Sequence, residues 1–330
     1  MINPKNSKIL ITGVAGYIGS HVLACLLENG YSKSQLYGID NFSTGIRYAL
    51  LDAIDFQVLD LTEFEKTLRI INEIEPDVVI HLAGNRFARK SVTNPFGVYS
   101  GNTISTINLS EALRLSTKSC TIIFSSSCSV YGDKNTVVRE EDTFEPISPY
   151  GRSKVMCESI LQDSFIAGGA TPIILRYFNA AGVFPPGVPD SAREGLIANL
   201  VFHANSGSNI PVFGTDLPTK DGTCIRDYIS VGDIARAHLS IVRRIEIEGH
   251  FRSSKYNLGT GVGTSVLDII DMFNKVFNKS VQITRHDASG GDPINITADS
   301  SKFAEEFNWA PMDDISRIIN SLHPLVKNSI

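Results

Sequence analysis

The stretch Ser148-Pro149-Tyr150-Gly151-Arg152-Ser153-Lys154 sets a tyrosine four residues ahead of a lysine. In a helix the two lie on one face, one turn apart, and act on the same small volume. A free tyrosine has a pKa of about 10 and is a poor base at neutral pH unless cations lie close. Lys154 is one such cation. Alone the pair is a weak signal, because an amphipathic helix with one exposed lysine has the same spacing. Its surroundings strengthen it. The run "TIIFSSS" closes with Ser125, Ser126 and Ser127, at what reads as the carboxyl edge of a sheet, where open α/β sheets bind ligands. Any of the three hydroxyls could reach a substrate held beside Tyr150.

The segment "ITGVAGYIGSH" places Gly13, Gly16 and Gly19 between a strand and a helix, spaced GxxGxxG. Glycine permits the tight turn and close backbone approach, and the helix N-terminus then offers N–H groups and partial positive charge to a pyrophosphate. Asp40 ends the next strand, "QLYGID", where a carboxylate accepts hydrogen bonds from an adenosine ribose and repels a 2′-phosphate. Together these predict NAD rather than NADP, although Asp40-Asn41 by itself equally suits a strand-end turn. With NAD in the cleft, the positive nicotinamide joins Lys154 in favouring the phenolate. A lowering of about two or three pH units, each worth about 1.4 kcal/mol, makes Tyr150 a usable acid/base near neutrality. Lys154 also suits a ribose anchor.

The elements that must position these residues read as strands alternating with helices. "KILITG", "QLYGID", "DFQVLD", "DVVIHLAG", "TIIFSSS" and "PIILRYFN" are short apolar, β-branched runs separated by helix-length segments. That alternation implies βαβ units and a parallel sheet covered on both faces, a doubly wound (Rossmann) α/β fold. Ile18, Val22, Cys25 and Leu26 recur at helical spacing, and Gly30 stands where a helix C-cap belongs. Beyond Phe178, "NAAGVFPPGVPDSAREG" breaks the rhythm with Pro and Gly. Ser230 with Asp233 and Ser265 with Asp268 are capping-box patterns, so helices are expected from about 231 and 266. The expected organisation is an NAD-binding domain over 1–180, to which the chain returns at 227–262. A smaller C-terminal substrate-binding lobe would comprise 181–226 and 263–330, with a ligand cleft between the two.

At 330 residues and 42 % hydrophobic content the chain can bury a sizeable core. A net charge of -5 without any Lys/Arg block argues against a nucleic-acid surface and for small anionic partners. The apolar run Ile9 to Ile11 is too short for a signal peptide, no run approaches membrane-spanning length, and five scattered cysteines without CxxC suit reduced thiols. A cytoplasmic protein without a membrane partner is expected. The absence of HExxH, GxSxG and GxxxxGK[ST] motifs sets aside metal, serine and P-loop hydrolysis.

Taken in order, "TGVAGYIGSH", "DNFSTG", "HLAG", "IIFSSSCSVYGD", "SPYGRSK", "LRYFNAAG", "DGTCIRDYI", "YNLGTGVG" and "GGD" span nearly the whole chain. This set resembles the extended short-chain dehydrogenase/reductases, and within them the UDP-glucose 4-epimerases. The resemblance implies a catalytic group of Ser127, Tyr150 and Lys154. It implies contacts to a tightly bound NAD from Gly13, Gly16, Tyr17, Ile18, Gly19, Asp40, Asn41, Asp60, Leu61, Leu82, Ala83, Gly84, Arg86, Asn102 and Phe178. Asn179, Asn199, Phe213, Arg226, Asp292 and Ile296 would hold a UDP-sugar, with Arg226 as the main nucleotide anchor, and a homodimer is expected. The implied reaction oxidises the sugar 4-hydroxyl to a ketone and reduces it again from the other face.

Dehydratases and decarboxylases of the same superfamily carry acids just after the catalytic Ser/Thr, where this chain has Cys128 and Ser129. Net dehydration is therefore disfavoured, and Cys128 reads as a small packing residue. Three positions depart from the epimerase pattern. Arg86 replaces the usual lysine, Ser289 stands where an arginine usually grips the diphosphate, and Ile296 stands where a large tyrosine often lines the sugar pocket. Arg285 or His286 could take over from the missing arginine. The smaller Ile296 suggests room for an N-acetyl group, so UDP-N-acetylglucosamine 4-epimerisation is an alternative, and UDP-glucuronate 4-epimerisation is another. A non-catalytic NAD-binding sensor on the same fold is the second class of reading.

Overall fold

The computed structural model describes residues 7–190, 195–249, 251–287 and 293–327. The β-branched runs of the first half form strands β1 (Ile9–Thr12), β2 (Leu36–Asp40), β3 (Asp55–Val58), β4 (Val78–His81) and β5 (Thr121–Ser127). Between them lie helices α1 (Tyr17–Glu28), α2 (Phe64–Ile74), α3 (Ala88–Thr93), α4 (Pro95–Tyr99) and α5 (Ser105–Leu115). Strand β6 (Thr136–Val138), helix α6 (Pro149–Ile166) and strands β7 (Thr171–Tyr177) and β8 (Asn179–Ala181) follow. The remainder runs α7 (Leu196–Ser206), β9 (Ile210–Phe213), β10 (Ile225–Ser230), α8 (Val231–Glu248), β11 (Ser254–Leu258) and β12 (Gly263–Ser265). It closes with α9 (Val266–Phe277), β13 (Ile283–His286), β14 (Asn295–Ala298), α10 (Ser301–Phe307) and α11 (Ile315–Asn320).

Seven strands form one parallel sheet in the order β11-β7-β5-β4-β1-β2-β3. Both faces are covered, which is why the central strands β1 and β4 are buried at every position rather than at alternate ones, while the edge strand β3 is largely exposed. Successive side chains of β1 show this: Ile9 and Ile11 pack with Val22, Leu23 and Leu26 of α1 and Ile234 and Ile241 of α8. Leu10 faces the opposite layer, with Ile70 of α2, Leu109 of α5 and Leu161 of α6. The chain leaves β1 toward β2 on one side and later crosses to β4 on the other. The sheet's topological switch thus lies at the carboxyl end of β1, where open α/β sheets bind their ligands.

The Pro/Gly-rich stretch after Phe178 leads into a second group of elements with its own apolar core, including Leu200 of α7, Ile270 and Phe273 of α9 and Ile318 of α11. Here β10 is central, pairing with β12, β14 and β8, and β14 pairs in turn with β6. Strand β6 is therefore a piece of the first half that crosses to the other sheet. Helices α8 and α9 begin where their caps place them, but only one cap follows the box pattern. Ser265 Oγ accepts from Asp268 N at 3.1 Å. Ser230 Oγ instead accepts from Gly232 N and donates to Asp313, while fully buried Asp233 accepts from Met312 N and Asp313 N. Asp233 thus ties the C-terminal segment to α8. No helix among the described residues is long and apolar enough to cross a membrane.

Candidate functional site

A cavity of about 870 Å³ opens at the carboxyl ends of the parallel strands and runs on to β9, β10 and β14. Its floor is the turn from β1 into α1. Gly13 has φ +73°, and a Cβ there would lie 2.6 Å from Ala83 N, so only glycine lets the turn pass this close to the strand beside it. A Cβ on Gly19 would strike Gly13 O and come within 2.8 Å of Val14 Cα. Helix α1 has no side-chain cap and no acid in its first turn, which leaves its first N–H groups and positive end to an anion. Asp40 closes this end. Its two oxygens accept from Ala15 N at 2.9 Å and Phe42 N at 2.8 Å, so the strand-end turn role and the cavity position hold together. Burial raises its pKa, against those two hydrogen bonds. An uncapped helix end, a glycine cradle and a carboxylate on the second strand fit the pyrophosphate and ribose of a dinucleotide.

Helix α6 begins with Ser148 Oγ accepting from Gly151 N at 3.1 Å and Pro149 in the first turn. Gly151 has a second purpose, since a Cβ there would lie 2.5 Å from Ser129 O. The glycine lets α6 lie directly against the end of β5. Tyr150 and Lys154 consequently face the cavity together with Ser127, whose hydroxyl donates to Ser129 Oγ at 3.2 Å and lowers the pKa of the nearby Tyr150 phenol. Lys154 Nζ donates to Ser125 O at 2.6 Å and sits 4.8 Å from the Phe124 ring centre and 5.9 Å from that of Tyr150. Burial lowers its pKa to about 8.

The electrostatics of Tyr150 run opposite to the simple Tyr–Lys expectation. Burial pushes the phenol up to about 12, ahead of the Ser127 hydrogen bond and the Arg86 charge, which lower it. The ammonium that was to favour the phenolate is turned to a main-chain carbonyl and is itself desolvated. Cys128 is likewise pushed up by burial to about 12 and is an inert thiol.

The three serines diverge in role. Ser126 Oγ donates to Glu158 Oε1 at 2.5 Å. Glu158 holds Arg176 by two bonds, Nε to Oε1 at 3.0 Å and Nη2 to Oε2 at 2.7 Å. Arg176 Nη1 also donates to Tyr131 Oη and Glu140 O, and Tyr131 Oη donates to Asn257 Oδ1. This buried network locks α6, one turn beyond Lys154, to β5, β7, β11 and the segment around β6. Its only trace in the sequence is a charged residue inside an apolar run, Arg176 in "PIILRYFN".

Of the other positions singled out, Tyr17, Ile18, Asn41, Asp60, Leu61, Leu82, Ala83, Gly84, Arg86 and Phe178 all line the cavity, as do Gly16 and Asn179, Asn199, Phe213, Arg226 and Ile296. Tyr17 also donates to Gly182 O at 2.6 Å, and Arg86 is ion-paired with Asp190. Asn102 is not among the lining residues. It is buried behind the wall, where its amide bonds Asn85 N, Asn85 O and Ser153 Oγ. Asp292 and Ser289 lie outside the described residues. Arg226 donates through Nη1 to Ile225 O at 2.9 Å and Ile294 O at 3.4 Å. The neighbouring Asp227, fully buried, accepts from Thr260 N, Thr260 Oγ1, Gly261 N and Ala298 N. The stretches "DGTCIRDYI" and "YNLGTGVG" thus meet at one carboxylate that fixes the strand bearing Arg226.

The arrangement joins a dinucleotide cradle to a hydroxyl, a phenol and an ammonium at the end of one strand, with an arginine across the cleft. This suits reversible oxidation of an alcohol on an anionic carrier. Residues 9–259 match the model of the NAD dependent epimerase/dehydratase family. The UDP-glucose 4-epimerase of Azospirillum brasilense is 36 % identical over 313 residues, 93 % of this chain and 88 % of that protein. The crystal structure of UDP-glucose 4-epimerase from Brucella ovis in complex with NAD is 34 % identical, with a TM-score of 0.88 over 96 % of this chain and 98 % of that one. The UDP-Glc/GlcNAc 4-epimerase of Campylobacter jejuni is also 34 % identical, with a TM-score of 0.80 over 97 % and 98 % of the two chains.

Proposed function

The chain belongs to the NAD dependent epimerase/dehydratase family, and we propose that within it the chain interconverts UDP-hexoses at C4 through a transient 4-ketose. The observation that carries this reading is the convergence of Ser127, Tyr150 and Lys154 on the cavity, with Cys128 and Ser129 following instead of carboxylates. An alcohol can be oxidised there, but no acid stands in the place from which the dehydratases eliminate water.

The first turn of α1 would hold the NAD pyrophosphate, Asp40 a ribose and Lys154 the other ribose. Bound there, NAD supplies reversible hydride storage and a positive ring beside Tyr150. Tyr150 accepts the proton of the 4-hydroxyl, and Ser127, beside the phenol in the cavity, orients it. Since burial outweighs Ser127 and Arg86 and holds Tyr150 near 12, a further fixed positive charge beside it is what brings the phenol toward neutrality. Arg226 holds the nucleotide while the ketose presents its other face, and Tyr150 then returns the proton to the C4 oxygen. Binding energy from a part of the substrate that does not react is used here to let the reacting part turn.

Ile296 supports acceptance of N-acetylated hexoses. It is buried at the cavity among Val130, Phe178 and Cys128, where a tyrosine would fill space beside the sugar. The exposed apolar side chains Val92, Phe96, Ile104, Ile107 and Met156 on α3 to α6 and the turn before α5 support a homodimer through this face. The five free thiols suit a cytoplasmic setting.

Replacing Tyr150 with Phe is expected to abolish C4 epimerisation of UDP-galactose while NAD stays bound; retained turnover would refute the role of Tyr150. Ile296→Tyr is expected to lower kcat/KM for UDP-N-acetylgalactosamine on the order of tenfold or more relative to UDP-galactose, a steric cost of about 1.4 kcal/mol. An unchanged ratio would refute the pocket reading.

A further inference from the structure

We propose that Asp190 is a positioning residue for the cofactor: with Arg86 it forms a clasp over the NAD cradle that slows NAD release. The inference rests on NAD occupying the glycine turn and not on which sugar reacts. Arg86 stands in the loop after β4 and lines the cavity, and Asp190 belongs to the segment between β8 and α7. Their ion pair joins stretches 104 positions apart. It does so at the first residue of α1. The Arg86 guanidinium carbon lies 5.9 Å from the centre of the Tyr17 ring. Burial raises the pKa of the Tyr17 phenol, Asp190 raises it further and Arg86 lowers it, so both charges are felt there. Tyr17 follows the N-cap residue Gly16, and the pair therefore stands beside the N–H groups that face a pyrophosphate.

The segment that carries Asp190 is fastened to the cofactor helix. Tyr17 Oη donates to Gly182 O at 2.6 Å, His21 Nε2 accepts from Phe184 N at 3.1 Å, and Ser20 Oγ accepts from Val188 N at 2.9 Å. Gly187 completes the fit, since a Cβ there would lie 2.5 Å from the His21 ring. Asp190, two residues beyond Val188, is thereby delivered to Arg86 with its side chain only 12 % exposed, against 39 % for the arginine. An arginine suits this place better than the lysine usual in the epimerase pattern. Its planar fork of five N–H donors can hold a carboxylate at one edge and a phosphate oxygen at another, whereas an ammonium is a point charge.

The test uses the protein purified with its NAD and follows exchange of the bound cofactor for isotope-labelled NAD in excess. The native chain is compared with Asp190→Asn, Arg86→Ala and the double variant. Asp190→Asn keeps the shape of the side chain and Arg86 is exposed, so these substitutions leave the fold intact. Exchange is expected to be on the order of tenfold faster in Asp190→Asn. Because Asp190 acts through Arg86, the double variant should exchange no faster than Arg86→Ala alone. Exchange in Asp190→Asn at or below the native rate would overturn the proposal; a slower rate would mean that Asp190 competes with the pyrophosphate for the guanidinium. A double variant faster than Arg86→Ala by the full Asp190→Asn factor would also overturn it, because Asp190 would then act on something other than Arg86. A native protein that holds no NAD would overturn both the clasp and the NAD reading of the cradle.

Discussion

Arg176→Met is expected to destabilise the protein by about 3–5 kcal/mol, the cost of stranding one member of a buried ion pair. The side chains of Arg176 and Glu158 are 1 % and 8 % exposed. The substitution removes both bonds to Glu158 and those to Tyr131 Oη and Glu140 O, leaving Ser126 Oγ at 2.5 Å as the one remaining hydrogen-bond partner of the Glu158 carboxylate in this network. Against a total stability of about 5–15 kcal/mol, such a loss is a large fraction of the whole. The double variant Arg176→Met/Glu158→Leu removes both charges together and should recover most of the loss, because the desolvation cost of each goes with it. Urea unfolding followed through the single tryptophan, Trp309, measures both midpoints. A midpoint for Arg176→Met equal to that of the native chain, or a double variant no more stable than the single one, would refute the reasoning.

Gly19→Ala should weaken NAD binding by about 1–3 kcal/mol, because the new Cβ strikes Gly13 O and the main chain must move; titration of the purified apoprotein with NAD checks it. Asp227→Ala takes the acceptor from the N–H groups of half-buried Thr260, exposed Gly261 and buried Ala298 and should cost about 1–3 kcal/mol in stability, read from the shift in urea midpoint. Acid should destabilise the protein through two buried histidines. Burial lowers His81 to about 3 and His238 to about 4, so between those values and about 6.5 the unfolded chain binds protons that the native one refuses. Stability therefore falls as pH drops below about 6.5, by about 2 kcal/mol per histidine at pH 5. Unfolding of His238→Gln at pH 7 and pH 5 should show a decline about 2 kcal/mol smaller than that of the native chain.

Features built from near neighbours in sequence were legible. The glycine turn, Asp40 at the strand end and the Tyr150–Lys154 pair each depend on one strand, one turn or one helix, and the alternation of β-branched and helical segments implied the parallel sheet. Features built from distant residues were not. Tyr131 meets Asn257 across 126 positions, Asp227 meets Ala298 across 71, and Arg86 meets Asp190 across 104. Nothing in local spacing reports such pairs. Asp233 shows how a correct boundary can hide a wrong cause, since the pattern that reads as a capping box is a tertiary anchor for Met312 and Asp313. Tyr150 shows the limit for electrostatics. The neighbouring lysine is visible in the sequence, but the burial that outweighs it is a property of the assembled fold.

Tyr150 serves reversible oxidation at C4 rather than elimination of water in the reading proposed above. Incubating the purified protein separately with UDP-galactose, UDP-N-acetylgalactosamine and UDP-galacturonate, and separating the products, tests it most directly. The expected product is the C4 epimer of at least one of them, with no net consumption of NAD and no dehydrated product. A 4-keto-6-deoxy product, or no C4 epimer from any of the three, would contradict it.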